Sequence, residues 1–186
     1  MSIGADFGAV LAAAQAGGEW AVAVLYRDVN PRLLRYLRAK APDVAEDLAS
    51  EVWLAAARHL PTFEGDEAAF RGWMFTMARR QAMGHWRKQG RRRTHPVPVD
   101  ALAERAGPDD PEAAGLAALA AQEAVEALVA ALPGDQAEVV LLRVLAGLDV
   151  EQVAEMMGKR PGTVRVLQHR ALRRLARSLP AEVVTR

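Results

Sequence analysis

Along most of the chain apolar residues recur at intervals of three and four, and no segment keeps the period of two that a half-buried strand requires. Ala, Leu, Arg and Glu, all good helix formers, dominate the same stretches. The pattern therefore predicts an all-α protein. Asp43 with Glu46, Asp135 with Glu138, and Asp149 with Gln152 each place an acid three residues before a Glu or Gln. That spacing predicts a reciprocal cap, the acid accepting from first-turn amides and the later side chain reaching back. Asp66 is a further predicted cap. Gly147 and Gly158 are predicted stops, because glycine tolerates the left-handed conformation that closes many helices. The pattern breaks between Gly90 and Pro111, where Pro96, Pro98, Pro108 and Pro111 remove backbone donors and restrict their predecessors. Two small helical domains, 1–90 and 113–186, joined by a flexible linker at about 91–112, are expected. No internal repeat of useful length is present.

Composition narrows the class. Hydrophobic residues make up 51% of the 186, enough for packed cores. The absence of cysteine excludes disulfides, thiolate metal sites and cysteine catalysis, and fits a reducing compartment. No run of about 18 apolar residues exists, so a membrane span is not expected. Asp6 and Glu19 interrupt the Ala/Gly-rich start, which lacks a signal-peptide arrangement. A cytoplasmic protein is expected.

The net charge of +1 conceals an uneven distribution. Residues 79–93 hold seven bases and no acid, and so do residues 159–177. Residues 94–130 between them carry seven acids against Arg105 alone. Two basic clusters split by an acidic segment suggest two contacts with a polyanion; the alternative is two solvated helix faces.

The second cluster lies in DVEQVAEMMGKRPGTVRVLQHRALRRLAR, residues 149–177. Val150, Val153, Ala154 and Met157 give a short helix one apolar face. Gly158 stops it, and Pro161 suits the first turn of the next helix, where its missing amide would be unpaired anyway. That helix is expected to bury Val164, Leu167, Ala171, Leu172 and Leu175 and to show Thr163, Arg165, His169, Arg170 and Arg173. The arrangement is a helix-turn-helix, whose second helix fits a DNA major groove. Arg165 is the preferred base reader, since a guanidinium pairs bidentately with guanine, while Thr163, Val166 and His169 offer hydrogen bonds or methyl contact. Arg170, Arg173 and Arg174 suit phosphate. The preceding helices, about 113–131 and 135–146, offer Leu116, Leu119, Leu128, Val139, Leu142 and Val144 as core.

In the first domain, residues 43–60 form an amphipathic helix with Leu48, Val52 and Ala55 toward a core and Trp53 flanking that stripe. Asp47, Ser50, Glu51 and Leu54 lie on another side, either solvated or facing a protein partner. Residues 70–93 follow. Phe63, Phe70, Trp73, Phe75 and Trp86 are five of the chain's ten aromatics, and the first basic cluster adjoins them. Flat rings beside cations suit unpaired bases. Phe70, Met74, Met77 and Ala78 sit at core spacing, so most of these aromatics are expected inside, with His85 and Trp86 the expected DNA contacts.

The segment ALPGDQAEVVLLRVLAGLDVEQVAEMMGKRPGTVRVLQHRAL resembles the −35-reading region 4 of extracytoplasmic-function (ECF) sigma factors, of the sigma-70 family's group 4. AEDLASEVWLAAAR and FRGWMFTMARRQA resemble region 2 of the same family. The resemblance implies a non-enzymatic subunit, without cofactor or metal, that binds core RNA polymerase at its clamp coiled coil and flap and directs promoter-specific initiation. It implies polymerase docking through Asp47, Ser50, Glu51 and Leu54. It implies −10 binding and melting through Arg79, Arg80, His85, Trp86, Arg87 and Lys88, and −35 binding through Arg160, Thr163, Arg165, Val166, His169, Arg170 and Arg173. Arg80, Gly84, Arg160, Leu167 and Gln168 depart from common family residues, so base preferences are not carried over. An anti-sigma factor is an expected partner. The acidic linker, with Asp100, Glu104, Asp109 and Asp110, is either a phosphate-repelling element or a passive tether.

Two other functional classes fit the sequence less well. A recombinase-type enzyme needs a supported nucleophile, and Ser2, Ser50 and Ser178, the only serines, have no such setting. The four histidines show no metal-ligand spacing with carboxylates. A free-standing regulator would need a ligand pocket or dimer face in the first half, and the sequence signals neither.

Overall fold

Apolar residues four apart build the first domain. In the computed structural model, which describes residues 3–92, 122–123, 125–127 and 129–178, four helices carry it. They are α1 (Phe7–Gln15), α2 (Glu19–Lys40), α3 (Ala45–His59) and α4 (Glu67–Arg92). Ala21, Leu25, Val29, Leu33 and Leu37 form one buried stripe along α2 and meet Leu48, Val52 and Ala56 of α3 and Phe70, Met74, Ala78 and Ala82 of α4. Pro31 lies inside α2 without ending it. The carbonyl it leaves without a donor belongs to exposed Arg27, within reach of water.

Helical residues at 122–123, 125–127 and 129–130 lead into the second domain. Its helices are α5 (Gly134–Val144), α6 (Val150–Met157) and α7 (Pro161–Ser178). No strand occurs among the described residues. Val139, Leu142, Leu148, Val153 and Val164 belong to the same contiguous buried cluster as the first domain's core, while Leu132, Ala137, Val140, Ala171 and Leu175 form a second, smaller one. α4 runs two residues beyond position 90. The predicted linker beyond Arg92, including Asp100, Glu104, Asp109 and Asp110, lies outside the described residues, as do Leu116, Leu119 and Leu128.

The capping expectations divide. Asp149 and Gln152 form the reciprocal cap at 2.7 and 3.0 Å, and Asp66 Oδ1 accepts from the Ala69 amide at 2.7 Å. The other two boxes do not form. Asp43 is drawn into a 3-10 turn, Pro42–Val44, and Glu46 pairs with Arg38 instead at 2.7 Å. α5 starts at Gly134 behind Pro133, which puts Asp135 already inside the helix, and Glu138 turns away from its own helix end.

Candidate nucleic-acid interface

The helix-turn-helix is fixed locally at both ends of its turn. Gly158 closes α6 at φ 64°, its amide bonding to the Ala154 and Glu155 carbonyls. The Lys159 amide reaches Ala154 O at 2.8 Å, and the Thr163 and Val164 amides return to Arg160 O at 2.9 and 3.2 Å. Val164, Ala171 and Leu175 anchor α7. Leu167 is half-buried, and Leu172, expected inside, is 52% exposed. Leu172 stands about 100° around the helix from Ala171, and the stripe has room for only one of them. Val144, also expected as core, is 68% exposed because Val139 and Leu142 already fill the buried face of α5.

Arg160, Thr163, Arg165, Val166, His169, Arg170 and Arg173 are all exposed. Arg165 donates to Glu151 of α6 at 2.7 Å, an exposed pair. A groove of about 490 Å³ is lined by Gln136, Arg170, Arg173, Arg174 and Arg177. Four guanidinium groups around one groove suit the oxygens of a phosphate chain.

On α3 the polar side separates cleanly from the core side. Asp47, Ser50, Glu51 and Leu54 are exposed while Leu48, Val52 and Ala56 are buried; Ala55 is half-buried. The sequence reading missed the neighbouring apolar hollow of about 750 Å³, whose walls include Val22, Tyr26, Leu34, Trp53 and Leu54. Trp53 donates to Asn30 at 3.0 Å and stacks at a tilt on Tyr26, with ring centroids 5.0 Å apart. Trp20, Val22 and Tyr26 are exposed off the Ala21–Leu25–Val29 stripe, and that misfit was the signal available. Burial alone would raise the Glu46 carboxyl, but the hydrogen bond from Arg38, its own backbone amide and the guanidinium charge together hold it below its ordinary value.

On α4 the aromatics sort as their spacing predicts. Phe70 and Phe75 are fully buried, and Phe63 and Trp73 are half-buried around Phe70. Trp86 is exposed, its indole N–H donating to the Lys40 carbonyl at 2.9 Å, which holds the ring at the end of α2. Arg80, Arg87 and Lys88 are exposed and His85 is half-buried.

Arg79 differs from these neighbours. It faces the second domain, where its Nη1 donates to the Met156 carbonyl at 3.0 Å and its Nε lies 3.2 Å from Glu138 Oε1. The latter contact is an ion pair without hydrogen-bond alignment, since Nε is also left without a hydrogen-bond partner. Glu138 is only 5% exposed. Tyr36 donates to it at 2.7 Å and Lys40 Nζ lies 2.5 Å from its other oxygen. Burial first, then the charge of Glu138 and the hydrogen bond to it, push the Tyr36 phenol well above its ordinary 10.0, with Arg79 pulling the other way. The hydroxyl therefore stays a donor.

A family model described as Sigma-70 region 2 matches residues 25–92, and one described as Sigma-70, region 4 matches residues 122–175. The ECF RNA polymerase sigma factor ShbA of Streptomyces griseus is 37% identical, over 90% of this chain and 92% of its own length. The ECF RNA polymerase sigma factor SigD of Mycobacterium tuberculosis is 35% identical, over 90% and 81%. The chain is an ECF RNA polymerase sigma factor. The region 2 match covers α4 and α3 and most of α2; the region 4 match covers α5, α6 and most of α7. The sigma factor belongs to a family of regulatory subunits that bind RNA polymerase and promoter DNA and direct promoter-specific initiation. Two solved structures share its fold. One is the sigma factor RpoE in complex with the anti-sigma factor NepR from Bartonella quintana, with TM-score 0.61 and 23% identity over 83% of this chain and 93% of that one. The other is CnrH in complex with the cytosolic domain of CnrY, with TM-score 0.60 and 19% identity over 90% and 92%. No described helix of the sigma factor is long and apolar enough to cross a membrane.

Proposed function

We propose that this sigma factor divides promoter reading between its two basic helices and holds polymerase with α3. In this reading α7 enters the major groove of the −35 element. Arg165 reads a base edge, with Thr163, Val166 and His169 beside it, while Arg160, Arg170 and Arg173 fix the register on phosphate. The exposed part of α4 takes the −10 element as it opens. Trp86 offers a ring to an unpaired base, and Arg79, Arg80, His85, Arg87 and Lys88 hold the backbone beside it. Stacking offsets the few kcal/mol spent on unstacking each step. Asp47, Ser50, Glu51 and Leu54 meet the polymerase clamp coiled coil, and the second domain meets the flap. The protein acts by binding, with no catalytic step of its own, and works in the cytoplasm.

The observation that carries this reading is the two-faced α7. Val164, Ala171 and Leu175 are buried on one side, and Thr163, Arg165, Val166, His169, Arg170 and Arg173 are exposed, with Arg160 exposed in the turn fixed by Gly158 and Pro161. The anti-sigma partner of RpoE supports an anti-sigma factor here also. Run-off transcription with bacterial core polymerase, with and without the protein, on a library of upstream DNA fragments tests the whole reading. Transcripts dependent on the protein and sharing two elements are expected. Tight operator binding by the free chain, with no effect on core polymerase, would return it to the class of free-standing regulators.

A further inference from the structure

The side chain of Glu138 belongs to the second domain, and Tyr36, Lys40 and Arg79, the groups that hold it, belong to the first. A carboxylate buried to this degree needs full pairing, and here the pairing exists only while the two domains touch. The same contact occupies Arg79, one of the −10 candidates, and lies beside Lys40, whose carbonyl holds Trp86. A groove of about 340 Å³ lined by Tyr36, Lys40, Arg79, Trp86, Arg87 and Glu138 runs along it. A second contact lies further along α4. Gln152 donates to the Ala68 carbonyl at 3.3 Å, and a Cβ built on Gly72 would already stand 3.4 Å from Gln152 and 3.7 Å from Leu148.

We propose that Glu138 is an intramolecular latch that closes the second domain onto the first and withholds the Arg79–Trp86 side of α4 from DNA until the domains part. The carboxylate takes the place that a phosphate oxygen of the promoter would occupy beside Lys40 and Arg79. Free sigma factor is therefore mostly closed and binds −10 DNA weakly. Separation returns Glu138 to water and the cations to DNA, so whatever spreads the domains also arms them. The inference rests on the proposed −10 role of α4 for its consequence, but not for the latch itself.

The chain has no cysteine, so Glu64→Cys with Ala176→Cys, both at exposed positions, admits a donor–acceptor dye pair, one dye on each domain. Transfer efficiency is read in the full-length protein with native Glu138, with Glu138→Gln, and with Gly72→Leu. The last variant wedges the second contact without changing charge. Unlabelled versions of the same three proteins are titrated with a fluorescent single-stranded −10 oligonucleotide selected from the transcribed library. Both variants are expected to lower transfer and to tighten oligonucleotide binding about tenfold, the gain when a competent state rises from about a tenth of the molecules to nearly all. Adding core polymerase to the native protein is expected to lower transfer similarly. A gain with Glu138→Gln alone would be an effect of charge, and would overturn the latch. Unchanged transfer in both variants would overturn it equally, and so would opening with no gain in binding while Arg80→Ala still weakens the oligonucleotide complex. If Arg80→Ala and Trp86→Ala leave that complex unaltered, the −10 reading of α4 fails instead, and the transfer change still reports on the latch.

Discussion

Arg165 shows how one side chain can be legible and incomplete at once. Its position in the second helix of a helix-turn-helix is what proposes it as a base reader, and the structure leaves it exposed. The structure adds a tether, because Glu151 holds the guanidinium at 2.7 Å. Both partners are well exposed, so the pair belongs to the class worth roughly 0–1 kcal/mol and yields readily to a base edge. Arg165→Ala is expected to cost roughly 1–3 kcal/mol at one −35 position. Competition binding of polymerase holoenzyme to single-substituted −35 sites checks it. An equal loss on every sequence would make Arg165 a phosphate contact. Glu138 is the opposite case. Its spacing from Asp135 suggested a cap, and its real partners, Tyr36, Lys40 and Arg79, lie far earlier in the chain, where no local pattern can point.

The helices were legible where the signals were local. Gly158 and Pro161 set the turn, and Asp149 with Gln152 closes the start of α6, because each acts within four residues of itself. α6 is only eight residues long, too short to persist without such ends. Asp149→Ala is expected to cost about 1 kcal/mol, and Gly158→Ala roughly 1–2 kcal/mol for placing a Cβ in the left-handed region. Chemical denaturation followed by circular dichroism checks both. Loss no larger than for an exposed alanine substitution elsewhere on α6 would show that tertiary packing alone holds the helix. The failures were also local competitions. Pro133 moved the start of α5 ahead of Asp135, and a 3-10 turn absorbed Asp43.

At the scale of the molecule, one of the contacts between the two domains is built around a phenol. The Tyr36 pKa is raised on folding, so its contribution is complete below the unfolded value near 10 and is lost as pH rises through the folded one. The groups facing it are Glu138 of α5 and Arg79 of α4, with Lys40 on its own helix at the other carboxylate oxygen. A phenolate there would confront Glu138. Stability measured by denaturation from about pH 8 to about pH 11 is expected to fall at the alkaline end, and Tyr36→Phe to flatten part of that fall. An identical alkaline limb in Tyr36→Phe would place the titration elsewhere.

The sequence by itself determined the helical class, the bipartite order, the helix-turn-helix and the exposed sets on α3 and α7. Each follows from spacing within a few turns or from resemblance carried by contiguous motifs. It left open which of two neighbouring apolar residues would be buried, as with Ala171 and Leu172, because that depends on how wide a stripe the opposing helices can cover. It also left open that Tyr26 and Trp53 would frame an apolar hollow beside the polar face of α3. Only the tertiary structure decided that Tyr36, Lys40, Arg79 and Glu138 meet. Burial of a charge depends on groups brought together from three helices, and the chain between two of them carries no record of that meeting.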